Sequence, residues 1–296
     1  MSNRIVFIVG AGRSGTTMLY KLISLGEEIG FISNYDERFP AWFPSGLLTR
    51  ILRPYLKTKS ESWFAGDGNA YFMKRPWISK IIPTPVEGEF VYGDCSIPIT
   101  PEQNYQINTT SQNCLHNRIR KISKLTGAKV FAIKRPANNR RIPILNTIFP
   151  NALFINLIRD GREVAHSLSK VEWWEGGTLF WAGKKPVELK QEGWHPMAVC
   201  ANNWLQDVSS VNKGLADIDS ERQISIRYED LISNPVDVLK TLFDFIDLDM
   251  SADHIEKVQS LNIQQRTPKW KSEWSSDELQ EVIDIQHPLL SELGYL

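Results

Sequence analysis

The sequence predicts an α/β fold in which a central, mainly parallel sheet lies between flanking helices in three layers. Two strand–turn–helix units support this prediction. In the first, the apolar residues 5–9 predict a buried strand, and "SGTTMLYKLISLG" has the spacing of a helix that ends at Gly26. In the second, residues 152–158 predict a strand, Asp160 and Gly161 form the turn, and a helix follows from Arg162.

Further elements extend this pattern along the chain. We expect strands at "KVFAIK" (129–134) and "QISIRYED" (223–230), and a helix at "NPVDVLKTLFDFIDL" with Pro235 in its first turn. We expect residues 1–296 to form one domain. Two stretches do not follow this alternation of strands and helices, namely the proline- and aromatic-rich residues 39–113 and the tryptophan-rich residues 172–204. Such inserts are expected above the carboxyl ends of the strands, on the substrate side.

Charge and composition exclude several classes. Lysine plus arginine and aspartate plus glutamate each number 34, so a general nucleic-acid or membrane-surface binder is not expected. Neither a cleavable signal nor a long apolar span is evident, which predicts a cytoplasmic protein. Three widely spaced cysteines, Cys95, Cys114 and Cys200, indicate reduced thiols rather than a disulfide framework or zinc site. The oligomeric state stays open.

The stretch "VGAGRSGTTML" (9–19) predicts a loop that binds phosphate after the first strand. A nucleoside triphosphate loop would carry lysine where Thr16 stands, so that class is disfavoured. Gly10, Gly12 and Gly15 also spell the G-x-G-x-x-G pattern of dinucleotide-binding proteins, with Asp36 and Glu37 near the position of its acidic residue. Against this, the loop carries an arginine and three hydroxyls, which suit a P-loop-like cradle for another anion.

With these residues, the chain resembles the sulfotransferases that use 3'-phosphoadenosine 5'-phosphosulfate (PAPS), and among them the bacterial and protein-tyrosine-type members. "GRSGTTML" is similar to that family's 5'-phosphosulfate loop, and "LIRDGREVAHSL" (157–168) is similar to its 3'-phosphate site, with Arg159 and Ser167. The resemblance implies a P-loop-like three-layer fold. It also implies that the loop residues bind the donor, namely Gly12, Arg13, Ser14, Gly15, Thr16 and Thr17.

Other segments extend the resemblance over most of the chain. Lys134, Pro136 and Asn138 match a Lys-x-Pro-x-Asn segment that approaches the donor. The resemblance implies that Tyr228 lies near the adenine, and that Trp270 and Lys271, with Arg266 a further candidate, belong to a loop that closes over the nucleotide. Packing in the core is the alternative role for Tyr228 and Trp270.

The activity implied by the resemblance is transfer of a sulfuryl group from PAPS to a hydroxyl, leaving adenosine 3',5'-bisphosphate. Arg13, the loop threonines and Lys134 would stabilise the developing charge, and we expect no metal ion. The general base is expected to be Asp36 or Glu37 in "DERFP", although a surface acid paired with Arg38 has the same pattern.

The acceptor cannot be named from the sequence beyond a small-molecule, carbohydrate or peptide hydroxyl. Two other classes stay open, an NAD(P)-dependent oxidoreductase that uses the G-x-G-x-x-G stretch and a non-catalytic nucleotide-binding protein. His166, next to Ser167 in the predicted helix, is expected to be structural.

Overall fold

A computed structural model describes residues 3–56, 63–64, 82–102, 105–261, 263 and 268–296. Within these residues, five parallel strands form one sheet in the order β2-β3-β1-β4-β5. Their bounds are β1 Arg4–Val9, β2 Ile29–Phe31, β3 Val130–Lys134, β4 Leu153–Ile158 and β5 Gln223–Arg227. The parallel sheet flanked by helices confirms the predicted fold class.

The central strand β1 pairs with β3 on one side and with β4 on the other. The chain leaves β1 towards β2 at one edge, whereas it leaves β4 towards β5 at the opposite edge. Because these connections diverge, a crevice forms at the carboxyl ends of β1 and β4, which is where ligands bind in open α/β sheets. The predicted phosphate loop and Arg159 follow these two strands.

Helices cover both faces of the sheet. Alternate residues of β1 point to opposite layers, so that Val6 and Ile8 pack in one core cluster while Ile5, Phe7 and Val9 pack in another. The helices of the described residues are α1 Thr16–Ser24, α2 Asn34–Arg38, α3 Ser45–Leu56, α4 Glu89–Gly93, α5 Thr109–Thr126, α6 Ile142–Ile148, α7 Gly161–Ser169, α8 Pro186–Gln191, α9 Pro196–Leu215, α10 Tyr228–Ser233, α11 Pro235–Phe245, α12 Ala252–Ser260, α13 Trp270–Glu273 and α14 Ser276–Glu292.

The sequence-predicted elements differ from the structure at two places. The strand expected over residues 223–230 ends at Arg227, and Tyr228 begins α10, whose first turn carries Glu229 and Asp230. Acidic side chains are favourable at a helix start, which explains the early end of the strand. The short edge strand β2 has only three residues with Gly30 at its centre, and its pattern was not recognised.

The expectation of reduced cysteines is wrong for one pair, because Cys95 and Cys114 form a disulfide. Cys95 follows α4 and Cys114 lies in α5, so tertiary packing brings together residues that their spacing of 19 does not predict to pair. Cys200 is a buried free thiol, and burial raises its pKa to about 12. None of the described helices is both long and apolar enough to cross a bilayer.

Candidate functional site

The loop between β1 and α1 turns sharply through three residues with positive φ. Gly10, Arg13 and Gly15 have φ values of 139°, 69° and 90°. Gly15 caps α1 without a side-chain hydrogen bond, so that amide groups of the first turn stay available to a ligand. Beside them, the Oγ of Ser14 is buried and has no hydrogen-bond partner among the described residues. This geometry forms a cradle for an anion.

Two buried side chains from elsewhere in the chain hold this loop. Asn139 accepts a hydrogen bond from the Gly10 amide at 3.0 Å and donates one to the Gly10 carbonyl at 2.9 Å. Asp207 in α9 accepts from the Gly12 amide at 3.3 Å and also contacts Asn139 and Arg140. Burial raises the pKa of the Asp207 carboxyl, although Arg140 and the Gly12 amide oppose this effect. No local sequence motif marks either residue as part of the site.

The second predicted anion site lies against the first. Arg13 Nε donates to Ser167 Oγ at 3.0 Å, and Arg159 donates to the Arg13 carbonyl at 2.9 Å. Ser167 lies on α7, and Arg159 follows β4. Arg159 also forms an ion pair with Glu163 at 2.5 Å, and their side chains are 19% and 15% exposed. Two segments about 150 residues apart in sequence thus converge on one crevice.

Tyr228 links these two sites. The guanidinium of Arg159 lies over its ring at 4.1 Å from the centroid, and the same ring packs against Gly15 so closely that a Cβ there would lie 2.5 Å from Cδ2. Tyr228 is half-buried, at the border of a core cluster. Its ring therefore packs against the core cluster and also contacts Gly15 and Arg159 beside the loop.

Lys134, at the end of β3, reaches the phosphate loop. Its buried Nζ donates to Thr17 Oγ1 at 3.0 Å and to Glu87 Oε1 at 2.6 Å. Arg135 contacts the other oxygen of Glu87. Burial alone would raise the pKa of Glu87, but Lys134 and Arg135 hold it below its usual value. Glu87 is not predicted from the sequence, because it lies in a segment without a recognisable motif.

The two predicted base candidates have different surroundings. Asp36 is 4% exposed, and both of its oxygens are engaged. Ser33 donates to Oδ2 from its amide and hydroxyl, each at 2.7 Å, and Ser45 donates to Oδ1 at 2.5 Å. Asp36 thereby caps the short helix α2 and ties it to α3. Glu37 is exposed on α2, beside the exposed Arg38.

The predicted nucleotide-covering segment packs on α7. Trp270 is buried beneath the Arg162 guanidinium, which lies 4.9 Å from its ring centroid, and the exposed Lys271 lies 5.6 Å from the same ring. His166 contacts Glu273 at 2.9 Å and so joins α7 to α13. Hence α13 is attached to the helix that carries Ser167. Arg266 lies outside the described residues.

Four tryptophans of residues 172–204 have described side chains, and these differ in burial. Trp174 and Trp204 are buried in one core cluster, whereas Trp194 is 41% exposed and packs against Trp181 at 6.0 Å between ring centroids. Trp42, in the other predicted insert, is 75% exposed. Among the described residues, no group of three or more histidine, cysteine, aspartate or glutamate side chains could hold a metal ion.

Comparison with solved structures shows sulfotransferases of similar fold. Sulfotransferase STF9 from Mycobacterium avium aligns with a TM-score of 0.58 and 14% identity, over 99% of this chain and 77% of that chain. The sulfotransferase domain from the curacin biosynthetic pathway aligns with a TM-score of 0.53 and 16% identity, over 97% of each chain. At such low identity these alignments support the fold alone.

Sequence comparison finds related enzymes. The omega-hydroxy-beta-dihydromenaquinone-9 sulfotransferase Stf3 of Mycobacterium bovis is 24% identical over 267 residues, covering 82% of this chain. The protein-tyrosine sulfotransferase of Drosophila melanogaster is 22% identical over 139 residues, covering 47% of this chain and 25% of its own length. The chain spans only 62% of the length of Stf3. The model of the Sulfotransferase family matches residues 6–252, so the chain belongs to this family.

Proposed function

We propose that the protein transfers a sulfuryl group from PAPS to a hydroxyl of an acceptor. The observation that carries this proposal is the contact of Arg13 with Ser167 and Arg159, which joins the loop after β1 to the segment after β4. A ligand with two separate anionic groups would match this arrangement. A dinucleotide whose two phosphates are joined in a pyrophosphate would need only the loop.

In this proposal the loop holds the 5'-phosphosulfate. Amide groups at the start of α1, the hydroxyls of Ser14, Thr16 and Thr17, and the Arg13 side chain supply the donors. The buried Ser14 hydroxyl has no hydrogen-bond partner in the part of the chain that the structure describes, which supports this assignment, because a buried hydroxyl is rarely left without a partner. Gly12 adds no side chain to the loop, and the missing Cβ of Gly15 leaves room for the Tyr228 ring beside it.

Arg159 and Ser167 would hold the 3'-phosphate. Tyr228 and Glu163 fix the position of the Arg159 guanidinium, and its remaining N–H groups on Nη1 and Nη2 would bind the phosphate. Tyr228 would also lie near the adenine, while Trp270 and Lys271 would cover the nucleotide from α13. The attachment of α13 to α7 supports this second assignment.

The proposed chemistry is an in-line displacement. The acceptor oxygen attacks sulfur, the bond from sulfur to the bridging oxygen breaks, and negative charge grows on the departing 5'-phosphate. Arg13, Lys134 and the amides of α1 would stabilise that charge, because donors fixed in advance need no reorganisation during the reaction. The contact of Lys134 with Thr17 supports its place at this point.

The acceptor proton requires a base, and the sequence predicts Asp36 or Glu37 for this role. Asp36 has both oxygens committed to Ser33 and Ser45, which favours a role in holding α2. Glu37 is exposed and is the better of these two candidates for contact with an acceptor.

The acceptor would enter beside the two inserts, at residues 39–113 and 172–204. The relatives' names cite a hydroxylated menaquinone and protein tyrosine, so we propose a small-molecule or peptide hydroxyl, with carbohydrate a further class. The exposed aromatic side chains of Trp42 and Trp194 support an acceptor with apolar surface.

Cellular location is a separate proposal. The cytoplasmic location stays a prediction, whereas the disulfide between Cys95 and Cys114 favours an oxidising compartment. Fractionation of the native organism's cells, followed by thiol labelling of the protein, tests both.

Isothermal calorimetry with adenosine 3',5'-bisphosphate tests the donor site, and transfer of labelled sulfate from PAPS to a panel of phenols, alcohols, polyprenols and tyrosine peptides tests the activity. We expect binding of the bisphosphate and labelling of at least one acceptor. A folded protein that binds NADH but not the bisphosphate at millimolar concentration would favour an oxidoreductase instead. Binding without any transfer, to an acceptor or to water, would favour a non-catalytic nucleotide-binding protein.

A further inference from the structure

A chain of alternating charges runs from the phosphate loop through the first residue of α4 to the residue that precedes α6. It begins with Lys134, continues through Glu87, Arg135 and Glu89, and ends at the fully buried Arg141. Arg141 donates to both oxygens of Glu89, at 2.7 and 3.0 Å. Glu87 is the member that contacts Lys134 directly, so its carboxylate lies one ammonium group away from Thr17.

Backbone contacts fix Glu87 at this place. Val86 donates to the Ile32 carbonyl at 2.9 Å, and Pro85 forms an isolated antiparallel bridge with Ser33. These contacts hold residues 85–87 against the segment that follows β2, at the carboxyl edge of the sheet. Glu87 thus reaches the same side of the sheet as the segment that carries Asp36 and Glu37, although it is about 50 residues further along the chain.

Glu87 differs from Asp36 in its access to a ligand. The Glu87 side chain is 35% exposed, whereas Asp36 is 4% exposed. Each Glu87 oxygen accepts one hydrogen bond, from Lys134 or Arg135, and a carboxylate oxygen can accept another. The Lys134 ammonium has three N–H donors, so it can contact Thr17, Glu87 and a ligand oxygen together.

Resting on the proposed function, we propose that Glu87 is the general base that takes the proton of the acceptor hydroxyl. The acceptor O–H bond breaks as the bond from oxygen to sulfur forms. The proton goes to the Glu87 carboxylate, and the electron pair of the broken sulfur–oxygen bond leaves with the 5'-phosphate. The Lys134 ammonium would contact both the departing 5'-phosphate and the Glu87 carboxylate. The phosphate and the carboxylate would therefore lie on opposite sides of this ammonium group.

The test compares Glu87→Gln with Glu28→Gln, a matched control whose ion pair with Lys129 lies at the amino ends of β2 and β3, opposite the site. The rate of labelled sulfate transfer from PAPS to the best alcohol of the panel is measured for each variant. The rate at which labelled sulfate is released to water is compared between the same variants. We expect Glu87→Gln to lower the turnover number by about 10²–10⁴-fold. Glu28→Gln should keep the wild-type rate, and both variants should bind adenosine 3',5'-bisphosphate.

A second measurement separates a base from a residue that only positions Lys134. p-Nitrophenol is largely ionised at alkaline pH and needs no base, so Glu87→Gln should lose less activity with it than with an alcohol. Added formate should partly restore sulfate transfer to the alcohol by the Glu87→Ala variant. The Glu87→Asp variant should transfer sulfate to the alcohol faster than Glu87→Gln does.

Turnover of Glu87→Gln within about threefold of the wild type would overturn the proposal. Equal losses with the phenol and the alcohol, without rescue by formate, would also overturn it. Wild-type protein that fails to bind the bisphosphate would instead refute the proposed function itself.

Discussion

Replacing Asn139 by alanine tests how the phosphate loop is held. Asn139 is fully buried, and its side chain makes both hydrogen bonds of the Gly10 peptide groups, at 3.0 and 2.9 Å. Removing it leaves a buried N–H and a buried C=O without these partners. Each such group costs about 1–3 kcal/mol, so we expect a loss of about 2–6 kcal/mol in the free energy of unfolding.

The matched control is Asn156→Ala. Asn156 is also buried, in β4, but its side chain makes one bond, to Ser225 at 3.2 Å, and does not contact the loop. Urea unfolding should show the larger loss for Asn139→Ala. Calorimetry with adenosine 3',5'-bisphosphate should show weaker binding by more than about tenfold for Asn139→Ala and little change for the control.

The reasoning would be refuted if the two variants lost equal stability and bound the bisphosphate equally well. Such a result would mean that the loop keeps its shape without Asn139. A stability loss without a binding loss would limit Asn139 to a role in folding.

Three further predictions concern the loop, an ion pair and the disulfide. Gly15→Ala should abolish detectable bisphosphate binding in calorimetry, because its φ is +90° and a Cβ would meet Tyr228 at 2.5 Å; wild-type affinity would contradict this. The carboxyl of Glu89 is partly buried, which raises its pKa, but Arg141 and Arg135 outweigh this effect and lower the pKa. Glu89→Gln should therefore lower the thermal midpoint at pH 7. This difference between the variant and the wild type should shrink as the pH falls below 4.5, where the carboxylate of the wild type becomes protonated. A difference in thermal midpoint that stayed the same at all pH values would show that ionisation of Glu89 does not contribute to stability. Replacing Cys95 and Cys114 by alanine should cost about 3 kcal/mol in urea unfolding, since the bond closes a loop of 19 residues.

The fold class could be predicted from the sequence, and candidate residues for binding PAPS could be proposed from it, because both signals are local. The glycine loop follows its strand directly, and Arg159 and Ser167 lie within one strand–turn–helix unit. Each motif is recognisable alone in the sequence. In the structure, Arg13 of the first motif contacts Ser167 and Arg159 of the second.

The remaining features depend on contacts between distant segments. Asn139 and Asp207 support the loop from two other elements, and Glu87 reaches Lys134 only because its segment pairs with the end of β2. The disulfide was missed for the same reason. Asp36 matched the expected acidic position, but the pattern could not show that Ser33 and Ser45 occupy its oxygens.

The most direct test of the account compares two nucleotides that differ only in the 3'-phosphate. Calorimetry would measure binding of adenosine 3',5'-bisphosphate and adenosine 5'-monophosphate to the wild type and to Arg159→Ala. We predict that the wild type prefers the bisphosphate and that Arg159→Ala loses this preference, with affinity for the monophosphate little changed. Loss of a charged hydrogen-bond partner predicts a change of about 1.5–3 kcal/mol, or roughly 10–150-fold. An unchanged preference in Arg159→Ala would contradict the assignment of the second anion site.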